Sequence, residues 1–160
     1  MSAKIFIDGE AGTTGLQIRE KLASVSGLKL ASLPPEARKD AAAKQKLYGE
    51  VDVVILCLPD EAAKETAALI DSIGAKAPKV LDASTAFRVA PDWAYGFPEL
   101  APDQADKIRI ARKVSNPGCY PTGAIALLRP IVDAGILPAD YPVTVNAVSG
   151  YSGEIGRAHV

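Results

Sequence analysis

An α/β fold built on a doubly wound parallel sheet is what three features of this chain predict. Short apolar runs alternate with segments of helical periodicity, the runs are continuously apolar, and the first of them opens into a glycine-rich turn followed by a helix. Continuous apolar runs suit strands covered on both faces. Strand-helix-strand succession makes those strands parallel, joined by right-handed crossovers in a Rossmann-like architecture.

Each element follows from local chemistry. Lys4 to Asp8 reads as the first strand, and Thr13 to Ser24 as a helix with Leu16, Ile18 and Leu22 at helical spacing. Leu28 to Leu33 is the second strand; Pro34-Pro35 opens a loop, and Asp40 to Leu47 forms a short alanine-rich helix. Asp52 to Leu58 is the third strand. Asp60 is expected to cap a helix over Glu61 to Ile73, which Gly74 ends, and Lys79 to Asp82 is the fourth strand. Further on, Asn116-Pro117-Gly118 turns the chain into Ala124 to Val132, an apolar run that reads as a buried helix. Pro121 suits its first turn, where a missing backbone N–H leaves nothing unpaired. Val143 to Ser149 reads as one more strand.

With 160 residues, 48% of them hydrophobic, the chain suffices for one domain with a real core plus a fragment of another. A formal net charge of -1 indicates neither a nucleic-acid patch nor an acidic tail, which leaves small-molecule chemistry. There is no basic-then-apolar leader and no run of 18 apolar residues, so the expectation is a soluble, cytoplasmic protein without membrane contact. Cys57 and Cys119, without a Cys-x-x-Cys or clustered histidines, give neither a disulfide framework nor a metal site. Cys57 lies inside an apolar strand and reads as core packing.

The turn Gly9-Glu10-Ala11-Gly12-Thr13-Thr14-Gly15 lies between a strand and a helix, where phosphate binds. Glycine lets backbone approach an anion, and the N–H groups opening the helix supply donors. Glu10 is an awkward neighbour for a pyrophosphate; its side chain should point to solvent or toward the protein, leaving Gly12, Thr13 and Thr14 as the binding face. A glycine-rich turn with no ligand is the alternative. The second strand ends in Ala31-Ser32-Leu33, without the carboxylate that holds the ribose of NAD. Ser32 can donate to a 2'-phosphate, with Arg38 and Lys39 close by, so NADP(H) is favoured, although those two cations also fit an ordinary solvated face. Leu58-Pro59 and Ser84, at the ends of the third and fourth strands, should add contacts.

Cys119 follows the tight turn at the start of a helix, a place that stabilises thiolates. Two readings stand at this point: a nucleophile, or an inert core cysteine. A dinucleotide turn combined with a reactive thiol suggests thioester chemistry coupled to hydride transfer.

At these residues the sequence resembles the N-acetyl-gamma-glutamyl-phosphate reductases of arginine biosynthesis, in their shorter, second type, relatives of aspartate-semialdehyde dehydrogenase. The resemblance rests on Phe6 to Gly15, Asp82 to Arg88, Tyr95 to Leu100, Asn116 to Thr122 and Asn146 to Gly153. It implies that Cys119 attacks an acyl phosphate, that NADPH reduces the thioester, that Asn116 and the backbone of Gly118 to Tyr120 orient the acyl group, and that the full-length protein is a homo-oligomer. Ser84 and Arg88 become substrate or phosphate contacts, with a structural bridge from Arg88 to a carboxylate such as Glu99 as the other reading. The resemblance assigns Tyr95 to Leu100 to the pocket wall. Another acyl-phosphate reductase, such as aspartate-semialdehyde dehydrogenase, and a non-catalytic dinucleotide module remain as alternatives.

The implied organisation is a dinucleotide-binding domain over 1–140, the start of a substrate and dimerisation domain over 141–153, and a tail over 154–160 that resembles a translated adapter oligonucleotide. His159, the only histidine, lies in that tail and is not paired with Cys119. The chain is expected to bind NADPH weakly and not to turn over.

Overall fold

The computed structural model describes residues 2–148, so the Ser149 to Gly153 motif residues, the 154–160 tail and His159 lie outside the described residues. The elements are β1 (Ala3–Asp8), α1 (Thr13–Ala23), β2 (Leu28–Ala31), α2 (Ala41–Tyr48), β3 (Val53–Leu56), α3 (Asp60–Asp71), β4 (Lys79–Asp82), β5 (Ala94–Tyr95), α4 (Gln104–Ile110), β6 (Lys113–Ser115) and α5 (Cys119–Asp133). Six strands form one sheet in the order β2-β1-β3-β4-β6-β5, and every pairing is parallel. The chain moves outward in one direction from β1 to β2, then crosses to the other side at β3. The crevice at the carboxyl ends of β1 and β3 is therefore the topological switch point where open α/β sheets bind ligands.

Both faces of the sheet are covered because side chains alternate across each strand. Ile5, Ile7 and Ile55 pack with Ile18 and Leu22 of α1 on one face. Phe6, Val54, Leu56 and Val80 pack with Tyr48 and Ile70, from α2 and α3, on the other. Burying a side chain of this size contributes about 1.5–3 kcal/mol, so the two layers supply most of what holds the sheet.

Several expectations are corrected. Asp60 does not cap α3: Pro59 occupies the cap position, and the Asp60 carboxylate instead accepts from the Thr85 N–H at 3.0 Å and from the Thr85 hydroxyl. The second and third strands stop at Ala31 and Leu56, short of the apolar runs, because the chain leaves the ladder for the loops above the sheet edge. Helix α3 ends at Asp71, and Gly74, at φ +71°, opens a 3-10 turn. Helix α5 has no buried residue; Leu127 is 76% exposed. On one side Ala124 and Leu127 line a cavity with residues 141–147, while on the other Ile125, Leu128 and Val132 line a groove with Leu100. Residues 141–148 are exposed and form no strand, and among the described residues no neighbouring strand completes a ladder with them.

Candidate active site

Parallel pairing brings four loops to one edge. The glycine turn after β1, Cys57-Leu58-Pro59 after β3, Ala83 to Arg88 after β4 and Asn116 to Cys119 after β6 all leave the same carboxyl end of the sheet. Backbone bonds carry the ladder up to these loops: Cys57 N–H donates to Asp8 at 2.8 Å, Ala83 N–H to Leu56 at 2.9 Å, and Asn116 N–H to Asp82 at 2.7 Å.

The glycine turn is close-packed. Gly9 has φ +92°, and a Cβ there would run into the Cys57 carbonyl. A Cβ on Gly15, which is buried in the first turn of α1, would lie 2.8 Å from the Glu10 Cα and also collide with the Gly9 carbonyl. Gly12, Thr13 and Thr14 are exposed at the start of α1, where the first N–H groups of a helix have no intrahelical partner. A cleft of about 310 Å³ beside the turn brings together Gly9, Glu10, Arg38, Lys39, Lys44 and Leu58. Of the sequence-predicted cofactor residues, Gly9, Arg38 and Leu58 line this cleft; Gly12, Thr13, Thr14, Gly15, Ser32, Pro59 and Ser84 do not.

Glu10 points toward the protein and is buried, one of the two directions expected for it. Its Oε2 accepts from Ser32 Oγ at 2.9 Å and from Arg19 Nη1, while Arg38 Nη2 stands 3.0 Å from Oε1. Ser32 Oγ accepts in turn from Arg19 at 2.9 Å. A hydroxyl has one proton, and here it goes to Glu10. Ser32, expected to donate to a 2'-phosphate, here donates to Glu10, and a carboxylate reaches the end of β2 from the glycine turn and not from the strand. The sequence reading missed Arg19, whose place on α1 four residues after Gly15 was the available signal.

Asp8 ends β1 beneath the same cleft and is bound by Lys44 Nζ at 2.8 and 3.0 Å and by the Tyr48 hydroxyl at 2.6 Å. Burial and the Asp8 carboxylate push the Tyr48 phenol upward. These contacts also escaped the sequence reading, although Lys44 and Tyr48 stand one helical turn apart.

On the other side, Asp82 ends β4 fully buried, accepting from Ser84 Oγ at 2.6 Å with its Oδ1 left without a partner. Burial raises its carboxyl above the usual range. Asp60 is held below that range, chiefly by its bond from Thr85. Between these two carboxylates the β4 loop is tied down, and Phe87 stacks on Trp93 with ring centroids 4.0 Å apart. Arg88 then reaches across to the next loop: its Nε donates to the Asn116 carbonyl at 3.2 Å, and its Nη1 lies 2.7 Å from where a Cβ on Gly118 would be. It makes no bridge to Glu99. The Asn116 amide turns back to the Pro117 carbonyl at 3.2 Å.

Cys119 is the first residue of α5 and is exposed, with Gly118 as the helix cap and the Thr122 hydroxyl closing the turn on the Gly118 carbonyl at 2.7 Å. It opens into a cavity of about 650 Å³ lined by α5 and residues 141–147. Cys57 is half-buried, and burial above all, with Asp82 and Asp8 nearby, pushes its thiol up to about 11. Two thiols thus occupy opposite environments, one shielded and one open.

Comparison with known proteins matches residues 9–108 to the family model "Semialdehyde dehydrogenase, NAD binding domain" and residues 119–159 to "Semialdehyde dehydrogenase, dimerisation domain". The N-acetyl-gamma-glutamyl-phosphate reductase of Allorhizobium ampelinum is 59% identical over 153 residues, 96% of this chain and 49% of the relative. That of Brucella ovis is 57% identical over the same share of each. The chain spans about half the length of these curated relatives. Among solved structures, aspartate semialdehyde dehydrogenase II of Vibrio cholerae shares the fold with a TM-score of 0.61 at 22% identity, covering 84% of this chain and 47% of that one. The Candida albicans aspartate semialdehyde dehydrogenase, solved with NADP, does so with a TM-score of 0.58 at 17% identity, covering 84% and 48%.

Proposed function

The chain belongs to the semialdehyde dehydrogenase family, whose dinucleotide-binding model covers residues 9–108, and from that membership we propose that the protein reduces N-acetyl-gamma-glutamyl phosphate with NADPH through a thioester on Cys119. One observation carries the reading: the parallel sheet delivers the glycine turn and the Asn116 to Cys119 loop to the same edge. The printed names of relatives at 57–59% identity support the substrate.

The residues fit a dinucleotide. The Gly12 N–H closes the turn on the Gly9 carbonyl at 3.0 Å, which leaves the first N–H groups of α1 at the exposed Thr13 and Thr14 for an anion, and the neighbouring cleft contains a buried Arg38 Nε with no partner. When bound, NADPH supplies the hydride that reduces the acyl carbon. The Cys119 sulfur attacks that carbon, the carbon–oxygen bond to phosphate breaks, and inorganic phosphate leaves. After reduction the carbon–sulfur bond breaks and returns the thiolate with the semialdehyde. N–H groups from Gly118 to Tyr120 face the growing negative charge on the acyl oxygen. Asn116 and Arg88 border the acyl phosphate, Arg88 also fixing the cysteine loop through the Asn116 carbonyl. Residues 1–140 form the dinucleotide-binding domain, 141–153 begin the substrate and dimerisation domain, and the protein works as a homo-oligomer.

The test is stoichiometry. With N-acetyl-gamma-glutamyl phosphate the full-length protein should oxidise NADPH and release phosphate one for one, Cys119→Ser in that protein should abolish both, and the 160-residue chain alone should not turn over. Faster reduction of aspartyl phosphate would replace the substrate assignment; unaltered turnover in Cys119→Ser would remove the thioester mechanism.

A further inference from the structure

The proposed use of NADPH needs cations at the end of β2, and two of those present, Arg19 and Arg38, are already paired. Arg19, from α1, and Arg38, from the loop after β2, converge on one carboxylate, Glu10, whose side chain is only 6% exposed. Both arginine side chains remain about two-fifths exposed, at 42% and 40%, although Arg38 Nε is itself buried. Ser32, at the end of β2, is locked into the same set as donor to Glu10 and acceptor from Arg19.

From this geometry we infer that Glu10 is a positioning residue for cofactor choice: it holds Arg19 and Arg38 as a fork whose outward N–H groups receive the 2'-phosphate of the dinucleotide. Ser32 belongs to the brace and not to the phosphate contacts. The physical reason is repulsion. Two guanidiniums bound to one carboxylate group are close enough to drive each other into solvent if that charge is removed, and long side chains regain rotamer freedom when they leave. Held in place, the planar groups present fixed donors that match phosphate geometry. One buried donor in this set, Arg38 Nε, has no hydrogen-bond partner, consistent with an arrangement completed by an anionic ligand.

This inference rests on the NADPH reading and deepens it. The test is calorimetric titration of the full chain with 2',5'-ADP and with 5'-AMP, two halves that differ only in the 2'-phosphate. Wild type should prefer 2',5'-ADP. Glu10→Gln should weaken 2',5'-ADP by roughly tenfold or more, the scale of a lost charge-assisted contact, with 5'-AMP changed by less than about twofold. Ser32→Ala should lose less than Glu10→Gln. If Glu10→Gln fails to fold, Glu10→Asp keeps the charge but falls one methylene short of the fork, and the same selective loss is expected. A variant at position 10 that keeps the wild-type preference overturns the inference while leaving NADPH use standing. Wild type that binds both probes equally overturns the NADPH reading and the inference together, and a larger loss in Ser32→Ala than in Glu10→Gln returns the phosphate to Ser32.

Discussion

Replacing Gly15 by alanine tests whether backbone packing under the glycine turn, and not flexibility, is what demands glycine there. A Cβ at this position would lie 2.8 Å from both the Glu10 Cα and the Gly9 carbonyl carbon, and would collide with the Gly9 carbonyl oxygen. Ordinary contact begins near 3.4 Å, so helix α1 must move away from the turn by more than half an ångström, against backbone that has no rotamer to yield. Overpacking of this kind costs about 1–3 kcal/mol, while alanine in a helix regains up to about 1 kcal/mol, leaving a net loss of about 1–2 kcal/mol. Two other glycines calibrate the scale. Gly12→Ala meets only the Gly9 carbonyl at 3.4 Å and should change stability little, and Gly123→Ala, inside α5 with open space around it, should stabilise by about 0.5–1 kcal/mol. The single tryptophan, Trp93, is buried at 8% exposure and reports unfolding in urea. The expected order of midpoints is Gly123→Ala, wild type with Gly12→Ala, then Gly15→Ala. A Gly15→Ala midpoint equal to that of Gly12→Ala would refute the packing argument.

Other perturbations have equally definite outcomes. Thiol reagents at pH 8 should label one equivalent, lost in Cys119→Ser and retained in Cys57→Ser, because a thiol near 11 is only about one part in a thousand ionised there; a second equivalent should appear only as pH nears 11. Asp82→Asn should raise the melting temperature at pH 7. Because the folded-state pKa of Asp82 is raised, the native state binds more protons than the unfolded state once pH exceeds the ordinary carboxylate value, so stability falls as pH rises from there to the raised pKa; in the variant that part of the decline should vanish. Lys44→Met leaves the Asp8 carboxylate buried with only the Tyr48 hydroxyl, and should cost about 3–5 kcal/mol in urea unfolding, part of which Asp8→Asn in the same chain should restore.

Periodicity made the central half of the fold legible. Continuous apolar runs located β1, β3 and β4 and the helices between them, and the glycine turn lies between β1 and α1 as its residues predict. The short elements β5, α4 and β6 escaped because two- and three-residue strands carry no period to detect; Ala94-Tyr95 is a strand only because Ser115 lies beside it. At the site, the type of residue was readable but its partner was not. Glu10 showed as an anomaly beside a phosphate turn, yet the pairing with Arg38 spans an interval that only folding closes. The buried reading of α5 failed for a related reason: an apolar run announces that a face will be covered, without saying by what.

That uncovered face bears on how the cysteine is placed. Cys119 opens a helix that the dimerisation model also begins with, so its position might be thought to depend on contacts made by that domain. The bonds argue otherwise. The loop before the cysteine is fixed by Asn116 N–H on the Asp82 carbonyl and by Arg88 on the Asn116 carbonyl, both inside the sheet domain. Arg88 in turn is steadied by a loop tied to Asp60, Asp82 and the Phe87–Trp93 stack. A Cβ on Gly118 would lie 2.7 Å from Arg88 Nη1, so a side chain there would make the Arg88 guanidinium shift. The loop that leads into Cys119 is therefore held by bonds made by residues up to 118, and the thiol opens α5 from that fixed point.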